Sequence, residues 1–394
     1  MKSEKFAAAQ PDGGSKFFTF HFSFFIFHFS LFIFHFSFFT FHFFITFSMA
    51  IPNSSPATLQ SSHFTTELLK WFAQNGRELP WRGTSDPYAI WLSEVILQQT
   101  RIEQGRQYWE RFMGRWPTVE KLAEATEDEV LRMWQGLGYY SRARNLHAAA
   151  RQIAAMGHFP NTMEELKGLK GVGPYTAAAI GSIAFGLPVA VVDGNVYRVL
   201  ARHFGIDTPI NTTQGQKLFA SLAQSLLPTS QPSLFNQAMM DFGALQCTPQ
   251  NPRCTICPLA TTCEALRGGK TRQLPVKLNK TNVKTRHLTY IYIRWKGMTA
   301  LRRRPPGDIW QGLWEPLLVE NDGKGTLGEV PAGAQLLLRG VRHVLTHRIL
   351  MADFYLWQPE EKPVLPQEFV WMDEADIDDH ALPRLVELLL EALP

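Results

Sequence analysis

The stretch that decides the fold is "LKGLKGVGPYTAAAIG", residues 166–181. It sets Gly168, Gly171 and Gly173 ahead of Pro174, which opens a helix. Proline suits the first helical position, where its missing N–H costs no hydrogen bond. Gly171 and Gly173 let the backbone approach a ligand closely, and the free amides at a helix start suit a phosphate. Such a turn would grip a nucleic-acid backbone without reading bases. An ordinary glycine-rich connection between two helices has the same composition, so the turn needs company before it means DNA. Tyr175, at its mouth, is demanded by neither the turn nor the helix start.

Outward from the turn, residues 61–246 read as helices joined by short connections. Asp86-Pro87 is an N-cap followed by proline, predicting a helix through about Arg101. Thr126 with Glu129 is a capping box, Thr162 with Glu165 caps a shorter helix, and "SRARNLHAAARQIAAMG" closes on Gly157. No strand–helix–strand alternation occurs here, so this part is mostly α. A catalytic domain is expected over 61–263, with a cysteine loop at 247–263. Residues 264–285 turn basic and polar and read as a linker. From 286 to 394 the pattern changes to alternation, as in "HLTYIYIRW" and "MADFYLW", ahead of a final helix, which predicts an α+β domain.

The chain has 394 residues, a net charge of +4 and 45% hydrophobic residues, enough for two or three domains with sizeable cores. That charge alone does not establish nucleic-acid binding. Residues 1–48 differ from the rest: Phe fills the tract, and His21, His28, His35 and His42 recur with a fixed period. This is low-complexity sequence, expected to be disordered or a spurious extension ahead of a start at Met49. A membrane span there would bury regularly spaced histidines in lipid, and export would contradict the cysteines downstream. A cytoplasmic protein is expected, nucleoid-associated if bacterial.

Cys247, Cys254, Cys257 and Cys263 have the spacing C-x6-C-x2-C-x5-C. Four thiolates so close can surround a [4Fe–4S] cluster or hold a structural zinc, and spacing does not separate the two. "WLSEVILQQTR" puts Glu94 on a helix with Ile90, Trp91 and Leu97 as helical neighbours. A carboxyl among apolar side chains has a raised pKa and can hold a proton near neutrality. A half-buried structural acid paired with Arg101 or another cation is the competing reading. "VAVVDGNVYRVLAR" puts Asp193 at a helix start, where amide donors are expected to keep it ionised. One protonated and one ionised acid is the pattern that separates acid from base roles.

Together these pieces resemble the helix-hairpin-helix DNA glycosylases with an iron–sulfur cluster. "LPWR" at 79–82, "WLSEVILQQT" at 91–100, "GLGYYSRARNLH" at 136–147 and "VVDGNVYRVLAR" at 191–202 look like the adenine DNA glycosylase (MutY) family within it. The resemblance covers about 64–390 and favours iron–sulfur over zinc. It implies a mostly α helix-hairpin-helix glycosylase domain with a [4Fe–4S] cluster loop, plus a C-terminal α+β Nudix-like domain. In related glycosylase/lyases of the endonuclease III kind, a lysine at the place of Tyr175 forms a Schiff base. Tyrosine cannot, and Lys170 lies across the hairpin, so base removal by hydrolysis is implied.

The resemblance makes Glu94, Asp193, Tyr175 and Asn195 the catalytic set, with Tyr175 and Asn195 beside Asp193. Gln99 would insert into the duplex, Arg82 and Trp81 would be pocket-wall and contact residues, and Gly171 and Gly173 would meet the backbone. In the C-terminal part, "WQGLW" at 310–314 is like the Nudix W-x-G-L-W, without the acidic box that binds Mg²⁺. That domain is then a reader of 8-oxoguanine, with Thr346 and His347 in the polar roles and Leu345 where the family has an aromatic. The implied partner is double-stranded DNA with A:8-oxoguanine or A:G mispairs, bound by a monomer with no membrane contact. The alternatives are a bifunctional glycosylase/lyase of the endonuclease III kind and a non-catalytic iron–sulfur DNA-binding protein.

Overall fold

The computed structural model describes residues 56–278, 283–321 and 330–394. The Phe/His/Ser tract at 1–48 lies outside the described residues. Among those described, no helix is long and apolar enough to cross a membrane.

Side-chain caps set about half of the helix starts. After α1 (Pro56–Asn75), α2 (Pro87–Ile96) begins where the Asp86 carboxylate accepts from the Tyr88 amide at 3.0 Å. It stops at Ile96, five residues short of the expected Arg101, because the chain turns and Gln99 takes a left-handed φ of 56°. α3 (Ile102–Arg115), α4 (Val119–Glu124) and α5 (Glu127–Trp134) follow, the last opened by the full Thr126–Glu129 capping box. α6 (Ser141–Met156) ends on Gly157 at φ 71°. α7 (Met163–Gly168) and α8 (Pro174–Phe185) flank the glycine hairpin. α9 (Gly194–His203), α10 (Thr213–Leu226), α11 (Pro232–Asp241) and the single turn α12 (Glu264–Arg267) complete the helical part.

Two apolar clusters hold these helices. One gathers Trp91, Phe112, Trp134 and Ile180 from α2, α3, α5 and α8. The other gathers Phe64, Val199, Phe219 and Phe235 from α1, α9, α10 and α11. Each such ring or branched side chain contributes roughly 1.5–3 kcal/mol by leaving water. The seam between the clusters is where α2 and α8 face α9 and α11.

The stretch read as a linker is docked over its first half. Arg202 donates to the Leu274 carbonyl at 3.1 Å, the Ile210 amide to Val276 at 3.0 Å, and Asn211 to Leu278 at 2.8 Å. Arg267, Lys270, Arg272 and Lys277 are exposed, so the composition there reports solvent contact while the backbone is tied down.

The strands are β1 (Lys284–Ile293), β2 (Met298–Arg303), β3 (Trp314–Glu315), β4 (Leu317–Asn321), β5 (Gln335–Leu345), β6 (Arg348–Trp357) and β7 (Phe369–Asp373), followed by α13 (Arg384–Glu391). One sheet has the order β4-β1-β6-β5 and the other β3-β2-β7. β1 and β6 are parallel, with Leu288 opposite Ala352 and Tyr290 opposite Phe354. Alternate residues of β6 are buried, and α13 covers that face with Leu385, Val386 and Leu389. The "WQGLW" segment is the seam to the helical part. Leu313 is fully buried in the helical cluster, and a Cβ at Gly312 would sit 3.4 Å from Leu131. Arg303 pairs with Asp128, and Gln135 with Glu387, across the same seam.

Candidate active site

A cavity of about 290 Å³ opens at the seam between the two helical clusters. Glu94 reaches it from α2, Tyr175 from α8, and Asp193 and Asn195 from the start of α9. The four residues expected to act together therefore line one space. Glu94 is walled by Ile90, Leu97 and Ile102. Burial pushes its pKa up to about 7, against a hydrogen bond from Tyr175 that lowers it, and the nearby Asp193 charge raises it further. Its partner is the Tyr175 hydroxyl, which donates to Oε2 at 3.0 Å. No ion pair joins it to Arg101, although Arg101 lines the same cavity.

Two expectations need correcting. Tyr175 holds Glu94, whereas it was expected to hold Asp193. The hydroxyl projects from the first turn of α8 toward α2, with the Met240 sulfur 3.8 Å away on its other side. Asp193 does cap α9, accepting from the Val196 amide at 2.8 Å and the Asn195 side chain at 2.7 Å. Yet its pKa is raised above the usual carboxylate range, because burial outweighs those donors. The Asp193 charge in turn disfavours ionisation of Glu94, so the two acids titrate as a coupled pair. Asn195 is itself held by Arg198, whose Nη2 donates to its Oδ1 at 2.8 Å.

Trp81 and Arg82 line the cavity, but Arg82 is committed inside the protein. It donates to Asp241 at 2.7 and 2.8 Å and to the Arg77 carbonyl at 2.9 Å. Asp241 is fully buried, and although burial pushes its pKa up, Arg82 and Arg77 hold it below the ordinary range. Arg82 is thus a wall residue. Gln99 sits exposed on the turn after α2, in left-handed backbone.

At the hairpin, Gly171 has φ 77° and its missing Cβ would fall 2.6 Å from Asn145 Cβ. Gly173 is different: φ is −87° with open space where a Cβ would be. Only Gly171 is required by the fold. Lys170 is exposed on the hairpin, and among the described residues no lysine lines the cavity.

Cys247, Cys254, Cys257 and Cys263 are free thiols that line a single apolar cavity. Arg202 donates to Cys247 Sγ at 3.4 Å and to the Thr248 carbonyl at 2.7 Å, pinning the loop. Among the described residues no three His, Cys, Asp or Glu side chains are gathered tightly enough for a single ion. Four thiols around one cavity are a donor set that an iron–sulfur cluster can use.

Thr346 and His347 form the exposed tip between β5 and β6 and line a cleft of about 450 Å³ against the helical part. Tyr139, Trp310 and His343 line it too, and the Tyr139 hydroxyl hydrogen-bonds Thr346. The Trp310 and His343 rings lie 5.8 Å apart. Leu345 lines the cleft while packing onto the core of the β part. The acids nearby are spent on arginines: Asp308 on Arg286 and Arg348, Glu315 on Arg302 and Arg304. Asp241, Arg198 and Tyr139 were not singled out in the sequence. Asp241 acts through partners far off in the chain, Tyr139 sits in left-handed backbone, and Arg198 joins the nearby Asn195 to the distant Gly243 and Cys247 carbonyls, none of which spacing encodes.

Two acids thus share one cavity with Tyr175, from the first turn of the helix that follows the glycine hairpin. Residues 92–224 match the HhH-GPD superfamily of base excision DNA repair proteins, and 289–392 match the NUDIX domain. The chain is 37% identical over 256 residues to an adenine DNA glycosylase of Buchnera aphidicola, covering 64% of this chain and 72% of that one. It is 45% identical over 223 residues to the adenine DNA glycosylase of Homo sapiens, covering 54% of this chain and 41% of that one. A solved thermostable thymine-DNA glycosylase superposes with a TM-score of 0.51 at 29% identity, covering 54% of this chain and 99% of that one. The chain belongs to the adenine DNA glycosylase family.

Proposed function

We propose that the protein is a monofunctional glycosylase that hydrolyses the N-glycosidic bond of adenine paired with 8-oxoguanine or guanine and leaves an abasic site. The single observation that carries this is the cavity shared by Glu94 and Asp193. Adenine leaves poorly unless protonated, and Glu94, with a pKa near 7, is able to hold that proton for N7. Tyr175 engages Oε2 and leaves Oε1 to carry it. As the bond breaks, positive charge grows on the sugar, and the Asp193 carboxylate, fixed by Asn195 and the Val196 amide, offsets it. Water completes the hydrolysis. The adenine must first leave the stack, and Gln99, exposed at the rim of the turn, is the residue to fill its place. The hairpin at Gly171 and Gly173 grips the backbone.

The cleft with Thr346 and His347 reads the opposite base, offering a hydroxyl and an imidazole to 8-oxoguanine. The four cysteines would hold a [4Fe–4S] cluster, which when bound fastens the loop 247–263 against α9. The enzyme acts as a monomer on double-stranded DNA, in the cytoplasm or nucleoid.

The test is a duplex with A opposite 8-oxoguanine, analysed with and without alkali. Strand breaks that appear only after alkali are expected, with no adduct trapped by borohydride. Alkali-independent breaks with a trapped adduct would mean a lyase of the endonuclease III kind. Binding without any abasic product would mean a non-catalytic DNA-binding protein.

A further inference from the structure

The described residues include four non-glycine positions in left-handed backbone: Gln99, Tyr139, Lys296 and Trp310. Gln99 and Tyr139 lie in separate loops, yet both loops hang on one side chain. Arg142 is nearly buried, and its Nη1 donates to the carbonyls of Val95, Ile96 and Gln98 at 3.1, 2.9 and 2.5 Å. Its Nη2 points to the carbonyls of Leu137 and Gly138 at 3.4 and 3.3 Å. The first set closes the C-terminal end of α2, the helix that carries Glu94, where orphan carbonyls and the helix dipole favour a cation. The second set shapes the glycine-rich loop that ends in Tyr139, whose hydroxyl meets Thr346 in the cleft. The guanidinium also lies over the Trp134 and Tyr139 rings at 5.1 and 5.6 Å. Among the described residues no carboxylate pairs with it and its Nε has no hydrogen-bond partner, so the hydrogen bonds of its two Nη groups go to these two loops. A planar fork can serve both directions at once, which a lysine ammonium cannot.

We propose that Arg142 is a positioning residue that holds the excision cavity and the base-reading cleft in register, by fixing turn 97–100 and loop 137–139 as one unit. Engaging both bases of one pair requires these two sites to be correctly spaced, and small misplacement costs rate steeply. This rests on the reading of the cleft given above.

The test uses Arg142→Lys in the full chain. Amide hydrogen exchange should rise in 97–100 and 137–139 together, with α9 and α11 unchanged. The preference for A opposite 8-oxoguanine over A opposite G should fall about tenfold, with the pH limb near 7 kept in place. Thr346→Val should add little in that background, since the connection it acts through is already loose. Exchange rising in one loop only, or equal slowing on both substrates, overturns the proposal. A wild-type enzyme without preference for 8-oxoguanine would sink the reading of the cleft instead, and the exchange arm would still decide the role of Arg142. Should Arg142→Lys not fold, Tyr139→Phe cuts the same connection at an exposed residue. It should lower the preference while exchange at 97–100 stays as in the wild type; an unchanged preference overturns the proposal.

Discussion

The cavity and the cleft, each proposed to hold a base, are built in opposite ways. In the cavity the polar groups are tied to protein partners: Tyr175 to Glu94, Asn195 to Asp193, Arg198 to Asn195, and Arg82 to Asp241. In the cleft the useful groups, Thr346 and His347, are exposed, while the charged ones nearby are neutralised by each other. The difference follows from what each site must do. Moving a proton to a base requires an acid whose affinity has been shifted by burial, and burial is tolerable only when neighbours are satisfied. Recognising a neutral base requires exposed donors and acceptors and no raised acid, and the Thr346 hydroxyl, engaged only by that of Tyr139, keeps hydrogen-bonding capacity to spare.

The largest effect that would break this contrast is in the cavity. Glu94→Gln should lower excision by about 10²–10⁴-fold while DNA binding persists. Wild-type excision should fall as pH rises above about 7, where the acid form of Glu94 is depleted, and the variant's residual rate should lose that limb. Stability gives an independent reading. Because the folded state raises the Glu94 pKa, it binds the proton more tightly than the unfolded chain. Stability is therefore highest below the ordinary carboxyl range, falls as pH rises toward about 7, and levels off above it. At pH 8 the variant should thus be more stable than the wild type, by ~1–3 kcal/mol after allowing for solvent in the cavity. Denaturant unfolding at pH 5 and 8 checks this, and equal stability at both would show that no burial cost is stored at Glu94.

The cleft predicts a smaller, purely selective effect. Thr346→Val removes an exposed hydroxyl, so its loss is that of about one hydrogen bond, a 5- to 10-fold drop in preference for 8-oxoguanine. Single-turnover rates on A opposite G should stay unchanged. A change on both substrates would mean that Thr346 acts through the Tyr139 contact on the catalytic side.

What the sequence made legible was local. Asp86-Pro87, Thr126 with Glu129, and Gly157 are cap signals completed within a few residues, and the backbone obeys them. The apolar spacing around Glu94 foretold a raised pKa because helical neighbours are fixed by the helix itself. What stayed hidden depends on distant chain. The early stop of α2, at the turn where Gln99 goes left-handed, has its last carbonyls satisfied by Arg142 from α6. Asp241 lies 159 residues from Arg82, so nothing local announces their pair. The raised pKa of Asp193 is likewise a matter of how much protein closes over it, which a cap motif does not reveal.

The glycine hairpin sharpens the comparison last, because it should serve both sites equally and favour neither. Its two glycines are separable. Gly171→Ala places a methyl in left-handed backbone and 2.6 Å from Asn145 Cβ, so it should destabilise the fold by ~1–2 kcal/mol. Gly173→Ala meets nothing within 4 Å and needs no unusual φ, so its melting temperature should match the wild type. Its added methyl instead stands where a phosphate would approach the amides ahead of α8. It should weaken duplex binding several-fold, whatever the sequence, and leave both the 8-oxoguanine preference and the pH limb untouched. Binding titrations on mispaired and fully paired duplexes, with thermal melts of both variants, separate the two. Should Gly173→Ala alter the preference itself, the hairpin would be coupled to one site more than the other, and the division of labour between grip, cavity and cleft would have to be redrawn.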